Sequence, residues 1–271
     1  MLRFYSPFIT HHSPLNKVIL EKFKLDGKVA LVTGASVGLG QAMAIALAEA
    51  GADVACHGLA TGEATETAEI IAKLGRKSVE IYGDMSDKTT PSRLIDEVIS
   101  HFGKIDILVN NAGMIRRSPA VDFSEEDWST VIEVNLSSIF RLSQAAARKM
   151  IPTGGGKIVN IASLLSFQGG ITVPAYTASK SGVAGLNKAF ANEWAIYNII
   201  VNAIATGYFA TNNTTALRAD ENRNRQILER IPAGRWGNPD DLAGAVVFLS
   251  SAASDYLQGH IMLVDGGWMA R

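Results

Sequence analysis

The stretch KVALVTGASVGLG, residues 28–40, decides the fold. Its first half is a short apolar run of the kind that forms a buried parallel strand. Its second half carries Gly34, Gly38 and Gly40, and the Ala-rich segment 41–50 that follows is predicted to be a helix ended by Gly51. Strand, glycine turn and helix N-terminus can form a phosphate-binding site, because bare backbone lets a pyrophosphate approach free N–H groups. The spacing is G-x-x-x-G-x-G rather than G-x-G-x-x-G, so a tight turn without a nucleotide stays open.

The same strand–helix unit recurs along the rest of the 271-residue chain. Strands are predicted at 53–57, 78–82, 105–109, 157–161, 199–204 and 260–264, and helices at 61–74, 88–102, from Ser124 onward and at 175–196. Such alternation predicts an α/β fold: a single doubly wound parallel sheet of the Rossmann type with helices on both faces. We expect one domain over residues 25–271 and an N-terminal extension over residues 1–24.

Polar residues and glycines follow several of these strands. Gly34, Asp84, Asn111 and Ser163 all fall at or just beyond the carboxyl end of a predicted strand. Ligands of doubly wound sheets bind at that edge. The sequence therefore predicts that these four residues converge on one site.

Tyr176 and Lys180 are the strongest candidates for chemistry. Their spacing places both side chains on one face of the predicted helix. A phenol has a reference pKa of about 10, and a neighbouring ammonium stabilises the phenolate, which favours proton transfer nearer neutral pH. For the pair alone, a solvated helix face is the alternative.

Taken in order, these motifs resemble the classical short-chain dehydrogenase/reductases. The resemblance runs from Leu25 to the C-terminus and rests on the glycine turn, Asn110-Asn111-Ala112-Gly113, Asn135, Ser163, Tyr176-x-x-x-Lys180 and Val264-Asp265-Gly266-Gly267. It implies hydride transfer between a nicotinamide dinucleotide and a secondary alcohol or ketone.

The resemblance also implies a catalytic role for four residues. Tyr176 would exchange a proton with the substrate oxygen, and Lys180 would lower the pKa of Tyr176 and bind the nicotinamide ribose. Ser163 would hydrogen-bond the same substrate oxygen, and the backbone of Asn135 would hold a water linking Lys180 to solvent. Considered singly, Ser163 could be only a turn residue and Asn135 only an exposed polar helix residue.

A second implied set binds the cofactor. Asp84 would accept a hydrogen bond from the adenine amino group, unless it is only a turn or helix-start residue, and Asn111 would flank the adenosine ribose. The full set is Gly34, Ser36, Gly38, Leu39, Gly40, Asp84, Met85, Asn111, Ala112, Gly113, Tyr176, Lys180 and Gly207.

A narrower resemblance points to the family members that oxidise sugar acids. It rests on residues 115–117, 163–170, 210–214, 217–220 and 231–237. The predicted substrate-binding residues are Ser163, Phe167, Gln168, Tyr176 and Arg117, with Arg116 and Arg218 as other candidates for the substrate carboxylate. Gluconate 5-dehydrogenase and 3-oxoacyl-[acyl-carrier-protein] reductase remain alternatives in this family. A non-catalytic dinucleotide-binding protein is the alternative of another class.

The charge pattern favours NAD over NADP. A ribose 2′-phosphate normally needs Arg or Lys beside the glycine turn or after the second strand. Residues 35–37 are neutral, and residues 57–60 contain only His57 as a titratable group, so the usual acidic acceptor for a 2′-hydroxyl is missing too. After the sixth strand, Thr206 replaces the proline usual in the family, from which we expect a somewhat looser loop before Gly207.

Composition excludes several classes of partner. A net charge of −1 and a pI near 6.5 offer nothing to nucleic acid or an acidic membrane. No stretch has the eighteen or so unbroken apolar residues of a membrane span. The single cysteine, Cys56, is predicted to be a buried hydrophobe and suits a reducing cytoplasm. His11 and His12 lack neighbouring ligands, so no metal site is predicted.

Residues 1–24 match a signal peptide poorly, because polar residues interrupt any apolar region. A surface arm or an upstream start codon is the preferred interpretation, and a transit segment remains open. The long helices after Ser124 and Ala175 and the apolar run ending in Gly267-Trp268-Met269 predict a homotetramer, because these regions build two-fold interfaces in the family.

Overall fold

The computed structural model describes residues 18–271, and it contains one seven-stranded sheet in which all neighbouring strands are parallel. The strands are β1 (Val29–Val32), β2 (Asp53–Gly58), β3 (Ser78–Tyr82), β4 (Ile107–Asn110), β5 (Gly156–Ser163), β6 (Ile199–Thr206) and β7 (Ile261–Val264). Their order across the sheet is β3-β2-β1-β4-β5-β6-β7. The predicted doubly wound Rossmann-type sheet is confirmed.

Nine α-helices occur within residues 18–271. They are α1 (Gly38–Glu49), α2 (Thr65–Lys73), α3 (Thr90–Phe102), α4 (Glu125–Ile132), α5 (Ser138–Met150), α6 (Pro174–Trp194), α7 (Thr215–Ala219), α8 (Glu221–Arg230) and α9 (Ala243–Ser250). The hydroxyl of Ser124 accepts the Asp127 N–H at the start of α4, as an N-cap should. Short α7 and α8 lie in the segment after β6, where no helix was predicted.

Helices cover both faces of the sheet. One buried cluster joins the sheet to α1, α2 and α9 through Leu47, Ile71 and Val246. The other joins it to α3, α5 and α6, through Leu94, Leu142 and Phe190 among others. The strands between these layers have apolar side chains on both faces, which is why they read as continuous apolar runs.

The chain order reverses between β1 and β4. Helices connect outward from β1 toward β3 on one side and from β4 toward β7 on the other, so a crevice opens between the carboxyl ends of β1 and β4. Both strands end in polar or glycine residues that were predicted to converge.

Ahead of this domain, a short 3-10 helix spans Ile19–Phe23, and the buried core begins at Leu25. The Phe23 ring lies 6.2 Å from that of Phe248. Residues 1–17, with His11 and His12, lie outside the described part, so the nature of the extension stays a prediction. Every helix within residues 18–271 is too short or too polar to cross a membrane.

Candidate active site

A cavity of about 1020 Å³ lies over the carboxyl ends of the strands. It is bordered by the glycine turn, the loops after β2 to β6 and the helical segment that contains α7 and α8. Most of the predicted site residues line this cavity: Gly34, Ser36, Gly38, Leu39, Gly40, Asp84, Met85, Asn111, Ala112, Gly113, Arg117, Ser163, Gln168, Tyr176, Lys180 and Gly207.

The glycine turn is packed too tightly for any side chain at Gly40. A Cβ atom there would lie 2.0 Å from the Gly34 carbonyl oxygen and 2.5 Å from Asn111 Nδ2. Gly34 itself has φ near +62°, which favours glycine. The turn therefore presents bare backbone to the cavity at the start of α1, as a phosphate-binding turn requires.

Asn111 holds this turn in place. Its Nδ2 donates to the carbonyl oxygens of Thr33 at 2.8 Å and Gly34 at 3.0 Å. Thr33 in return accepts the backbone N–H groups of Asn111 and Ala112. The ends of β1 and β4 are thus locked together, and Asn111 lines the cavity as a structural support of the turn.

His57, noted above only as the titratable group of residues 57–60, is a second support of the turn. Its Nδ1 accepts the Gly34 N–H at 3.2 Å, and its Nε2 lies 2.9 Å from the Gly83 carbonyl oxygen. These partners require a neutral ring with the proton on Nε2. Burial lowers the pKa of His57 below its usual value. The imidazole therefore ties the glycine turn to the end of β3 without carrying charge.

Glu63 is a cavity residue that sequence reasoning missed. It lies five positions beyond the end of β2, but the loop folds back so that its Oε2 accepts the Leu59 N–H at 2.8 Å. A Cβ at Gly58 would touch both Glu63 Cβ, at 3.0 Å, and Ser36 Oγ, at 3.2 Å. An acidic side chain thus stands next to the glycine turn, although none ends β2 itself.

Asp84 follows β3 and lines the same end of the cavity. Its Oδ1 accepts the Ser86 N–H at 2.8 Å, so the carboxylate also stabilises the turn that contains it. Cys56, in β2, is fully buried, as predicted, and burial raises the pKa of its thiol to about 12. That excludes a nucleophilic role for Cys56 near neutral pH.

Tyr176 and Ser163 meet deep in the cavity. Burial raises the pKa of the Tyr176 hydroxyl above its usual value, while a hydrogen bond with Ser163 and the charge of Arg117 lower the pKa in part. Ser163 ends β5, and its Oγ also accepts the Leu165 N–H at 3.1 Å. The two hydroxyls are placed to act on one substrate oxygen.

Lys180 lies beside Tyr176 on α6, as their four-residue spacing predicts. Its ammonium lies 5.7 Å from the centre of the Tyr176 ring and donates to the Ile161 carbonyl oxygen at 2.6 Å. Burial lowers the pKa of Lys180 to about 8. Arg117 contributes a charge that lowers the pKa of Tyr176, and Lys180 contacts the Tyr176 ring while its ammonium donates toward β5.

Asn135 lies behind the cavity wall and does not line it. It is fully buried, in a π-helical segment, Glu133–Ser137, that interrupts the continuous helix formed by α4 and α5. Its side chain accepts the Met114 N–H and donates to the Met114 carbonyl oxygen, both at 2.8 Å, and donates to Ser179 at 3.3 Å. The alternative of an exposed polar helix residue is therefore wrong. Single π turns inside α-helices are frequent at functional sites.

The three arginines predicted as candidates for substrate binding differ in whether they line the cavity and in what they contact. Arg117 lines the cavity near Tyr176. Arg116 also lines it, but its Nε lies 3.2 Å from Asp127 Oδ1 in an ion pair. Arg218 does not line the cavity, because its guanidinium donates to the Thr211 carbonyl oxygen at 3.2 Å.

The prediction that Phe167 shapes the pocket is not met. Phe167 ends the 3-10 turn after β5, lies outside the cavity lining and has 49% of its surface exposed. The next residue, Gln168, does line the cavity. Within residues 18–271, His, Cys, Asp and Glu side chains form no group of three that could hold a metal ion.

The chain matches known oxidoreductases over most of its length. A family profile described as enoyl-(acyl carrier protein) reductase matches residues 34–269. The chain is 56% identical to 2-dehydro-3-deoxy-D-gluconate 5-dehydrogenase of Dickeya dadantii (strain 3937), over 94% of this chain and 100% of that protein. It is 57% identical to the protein of the same name from Escherichia coli (strain K12), again over 94% and 100%. A gluconate 5-dehydrogenase from Burkholderia cenocepacia J2315, solved in complex with NADP and tartrate, has a TM-score of 0.90 at 40% identity, covering 93% of this chain and 99% of that chain.

Proposed function

The chain belongs to the short-chain dehydrogenase/reductase family, and from that premise we propose that it is a nicotinamide-dependent dehydrogenase of sugar acids. The preferred activity is 2-dehydro-3-deoxy-D-gluconate 5-dehydrogenase, also called 2-deoxy-D-gluconate 3-dehydrogenase. The first of these names is that of the D. dadantii and E. coli relatives. The observation that carries the proposal is that Ser163, Tyr176 and Lys180 share one cavity with an intact glycine turn. Gluconate 5-dehydrogenase is the nearest alternative.

A dinucleotide fits the residues present. The bare backbone at Gly34, Gly38 and Gly40 would hold the pyrophosphate at the start of α1, where the helix dipole favours negative charge. Asp84 would accept the adenine amino group, with Met85, Ala112, Gly113 and Gly207 along the walls. When bound, the nicotinamide supplies the hydride donor or acceptor.

Residues of the chain would transfer the proton of the substrate hydroxyl and stabilise the charge that develops on its oxygen. In alcohol oxidation the Tyr176 oxygen takes the hydroxyl proton of the substrate, and in ketone reduction it returns that proton. Ser163 donates to the same substrate oxygen and stabilises charge developing on it. Lys180 would bind the nicotinamide ribose, and the backbone of Asn135 would hold a water that links Lys180 to solvent.

A substrate panel tests this proposal. The purified protein should produce NADH fastest with 2-deoxy-D-gluconate among hexonates and deoxyhexonates, and in reverse it should consume NADH with the corresponding keto acids. Faster turnover of gluconate would favour gluconate 5-dehydrogenase, and turnover of a 3-oxoacyl thioester would favour the reductase. Tight NADH binding without turnover of any candidate would support the non-catalytic alternative.

We further propose that NAD is preferred over NADP, on the evidence of Glu63. Glu63 lines the same cavity as the glycine turn, and its carboxylate accepts the Leu59 N–H in the loop after β2. From there it would accept a ribose 2′-hydroxyl and repel a 2′-phosphate. The cavity-lining cations within residues 18–271 come from other segments: Arg116, Arg117, Lys180, Arg223 and Arg230. The NADP complex of the B. cenocepacia relative makes a direct measurement necessary.

Glu63→Gln should lower the ratio of kcat/KM with NAD to kcat/KM with NADP by about tenfold, the cost of one charge-assisted hydrogen bond. Steady-state rates with each cofactor give this ratio. Glu66→Gln is the matched control, because Glu66 lies on the exposed face of α2 and does not line the cavity. If wild type and Glu63→Gln had the same ratio, Glu63 would not be the residue that discriminates NAD from NADP.

The pH profile tests the electrostatic role of Arg117. Alcohol oxidation needs the Tyr176 phenolate, and Arg117 lowers the pKa of that group. Removing the cation should raise this pKa, so Arg117→Gln should move the rising limb of kcat/KM for oxidation to higher pH. Oxidation would then be slower at pH 8 and recover as the pH rises. Arg116→Gln, whose guanidinium is paired with Asp127, should leave the limb in place. A uniform loss of rate without a moved limb would restrict Arg117 to substrate binding.

We also propose a cytoplasmic homotetramer, with residues 25–271 as the catalytic domain and residues 1–24 as an extension. Phe140 on α5 is 43% exposed and lies 6.2 Å from Phe190 on α6, whose ring stacks on Trp194 at 4.2 Å. This aromatic surface on the two long helices suits a two-fold contact. Light scattering at micromolar concentration should give the tetramer mass, and a stable monomer would contradict it.

A further inference from the structure

Three residues from distant parts of the chain form a support at the cavity wall, which we name the Arg230 platform: Gln168, Arg230 and Trp268. All three line the cavity. The Arg230 guanidinium carbon lies 4.0 Å from the centre of the Trp268 ring, and Arg230 donates to Gln168 Oε1 at 3.3 Å. The Trp268 indole N–H donates to the same oxygen at 3.4 Å. The Trp268 ring thus covers one face of the Arg230 guanidinium, and Gln168 accepts a hydrogen bond from its edge.

The platform has a rigid base. Trp268 is only 5% exposed and packs in a small cluster with Leu164, Ile227 and Ile231. The Tyr208 ring lies 4.7 Å from the Trp268 ring. Since Ile227 and Ile231 flank Arg230 at the end of α8, the cluster fixes both the aromatic face and the backbone that carries the arginine.

Arg230 carries a charge that no carboxylate of the described residues neutralises. Among the other arginines of this region, Arg225 is paired with Glu229 and Arg235 with Asp241. Arg223 donates to Gln226 Oε1 and Arg218 to the Thr211 carbonyl oxygen, so neither contacts a carboxylate within residues 18–271. Arg230 has five N–H groups, and its neutral partner Gln168 uses only part of this capacity. A planar guanidinium held in this way is well suited to bind a carboxylate through two parallel hydrogen bonds.

We propose that the Arg230 platform binds the substrate's carboxylate, an inference that rests on the proposed sugar-acid dehydrogenase activity. The preferred activity is oxidation at carbon 5 of 2-dehydro-3-deoxy-D-gluconate, and that carbon lies at the opposite end of the hexonate chain from the carboxylate. One cation therefore cannot serve both ends. Arg117 acts at the end that Tyr176 contacts. Arg230 selects the opposite end, and Gln168 and Trp268 are positioning residues that act through it.

The platform is tested by changing Arg230 and the substrate carboxylate separately and together, and comparing the KM values. Arg230→Gln should raise KM for the hexonate at least about tenfold, the cost of a lost charge-assisted hydrogen bond, while kcat changes less than about threefold. Replacing the hexonate by its neutral hexonamide should raise the wild-type KM by a similar factor. In the Arg230→Gln variant, replacing the hexonate by the hexonamide should raise KM little further, because both changes remove the same interaction. Arg230→Lys, which keeps charge without the planar fork, should fall between.

Arg225→Gln is the matched control, since Arg225 lies on the same helix but does not line the cavity. NADH affinity, measured by fluorescence titration, should be equal in all variants and reports on folding. A hexonate KM that is unchanged in Arg230→Gln would overturn the platform and leave the proposed activity intact. If Arg230→Gln and the amide raised KM by independent, additive amounts, the substrate carboxylate would bind at a site other than Arg230. Failure of the wild-type protein to oxidise any hexonate would instead overturn the proposed function.

Discussion

Tyr176→Phe is expected to lower kcat by about 10²- to 10⁴-fold, the usual contribution of a general acid/base, while NADH affinity stays nearly unchanged. The phenol ring still fills its place beside Lys180, but the oxygen that exchanges the proton is gone. Stopped-flow or steady-state rates with the preferred hexonate measure kcat, and fluorescence titration measures NADH affinity.

Tyr197→Phe provides the control for this substitution. Tyr197 follows the end of α6, is 43% exposed and does not line the cavity, so its hydroxyl should be dispensable. A Tyr176→Phe protein that kept more than about a tenth of the wild-type rate would contradict the proton-transfer role. The chemistry would then have to be assigned to another group in the cavity.

Gly40→Ala should have the second largest effect, on both cofactor binding and stability. The new Cβ would lie 2.0 Å from the Gly34 carbonyl oxygen, and neither backbone can move without opening the turn. Overpacking of this kind costs about 1–3 kcal/mol of unfolding free energy. NADH affinity should fall at least tenfold, because each charged hydrogen bond lost from the turn costs about 1.5–3 kcal/mol.

The control is Gly244→Ala in α9, where a Cβ meets nothing within 4 Å. Thermal unfolding and NADH titration of the two variants separate a local clash from the general effect of replacing glycine in a helix. Wild-type affinity in Gly40→Ala would show that the turn does not bind the dinucleotide through bare backbone.

Much of this molecule follows from local patterns in the sequence. The apolar runs and glycines specified the order of strands and helices, since a buried parallel strand and the turn after it each have a local signature. Element ends shifted by a few residues; β5, for example, continues to Ser163 rather than ending at residue 161. The helices α7, α8 and α9 were missed, because α7 has only five residues, α8 is mostly polar and α9 is almost uniformly apolar, so none shows a clear one-sided apolar stripe.

The catalytic candidates were also accessible from sequence, because Ser163, Tyr176 and Lys180 lie at fixed places relative to strands and helices. The details of charge were not. The structure keeps Lys180 beside the Tyr176 ring, as predicted, but it also ties the Lys180 ammonium to the Ile161 carbonyl oxygen and adds the charge of Arg117, which lowers the pKa of Tyr176. These contacts depend on where long side chains find partners in three dimensions, which spacing along a helix does not determine.

The sequence by itself determined the doubly wound sheet, the glycine turn and the identity of the residues able to carry out proton transfer. Only the tertiary structure decided which side chains border the cavity: it brought in Glu63, His57 and Arg230 and removed Arg218 and Phe167. The physical reason is that an apolar strand or a glycine turn has a signature in consecutive residues, whereas the Arg230 platform joins side chains separated by 62 and 100 positions, for which the sequence carries no local signal. Contacts of that range exist only after the core has packed.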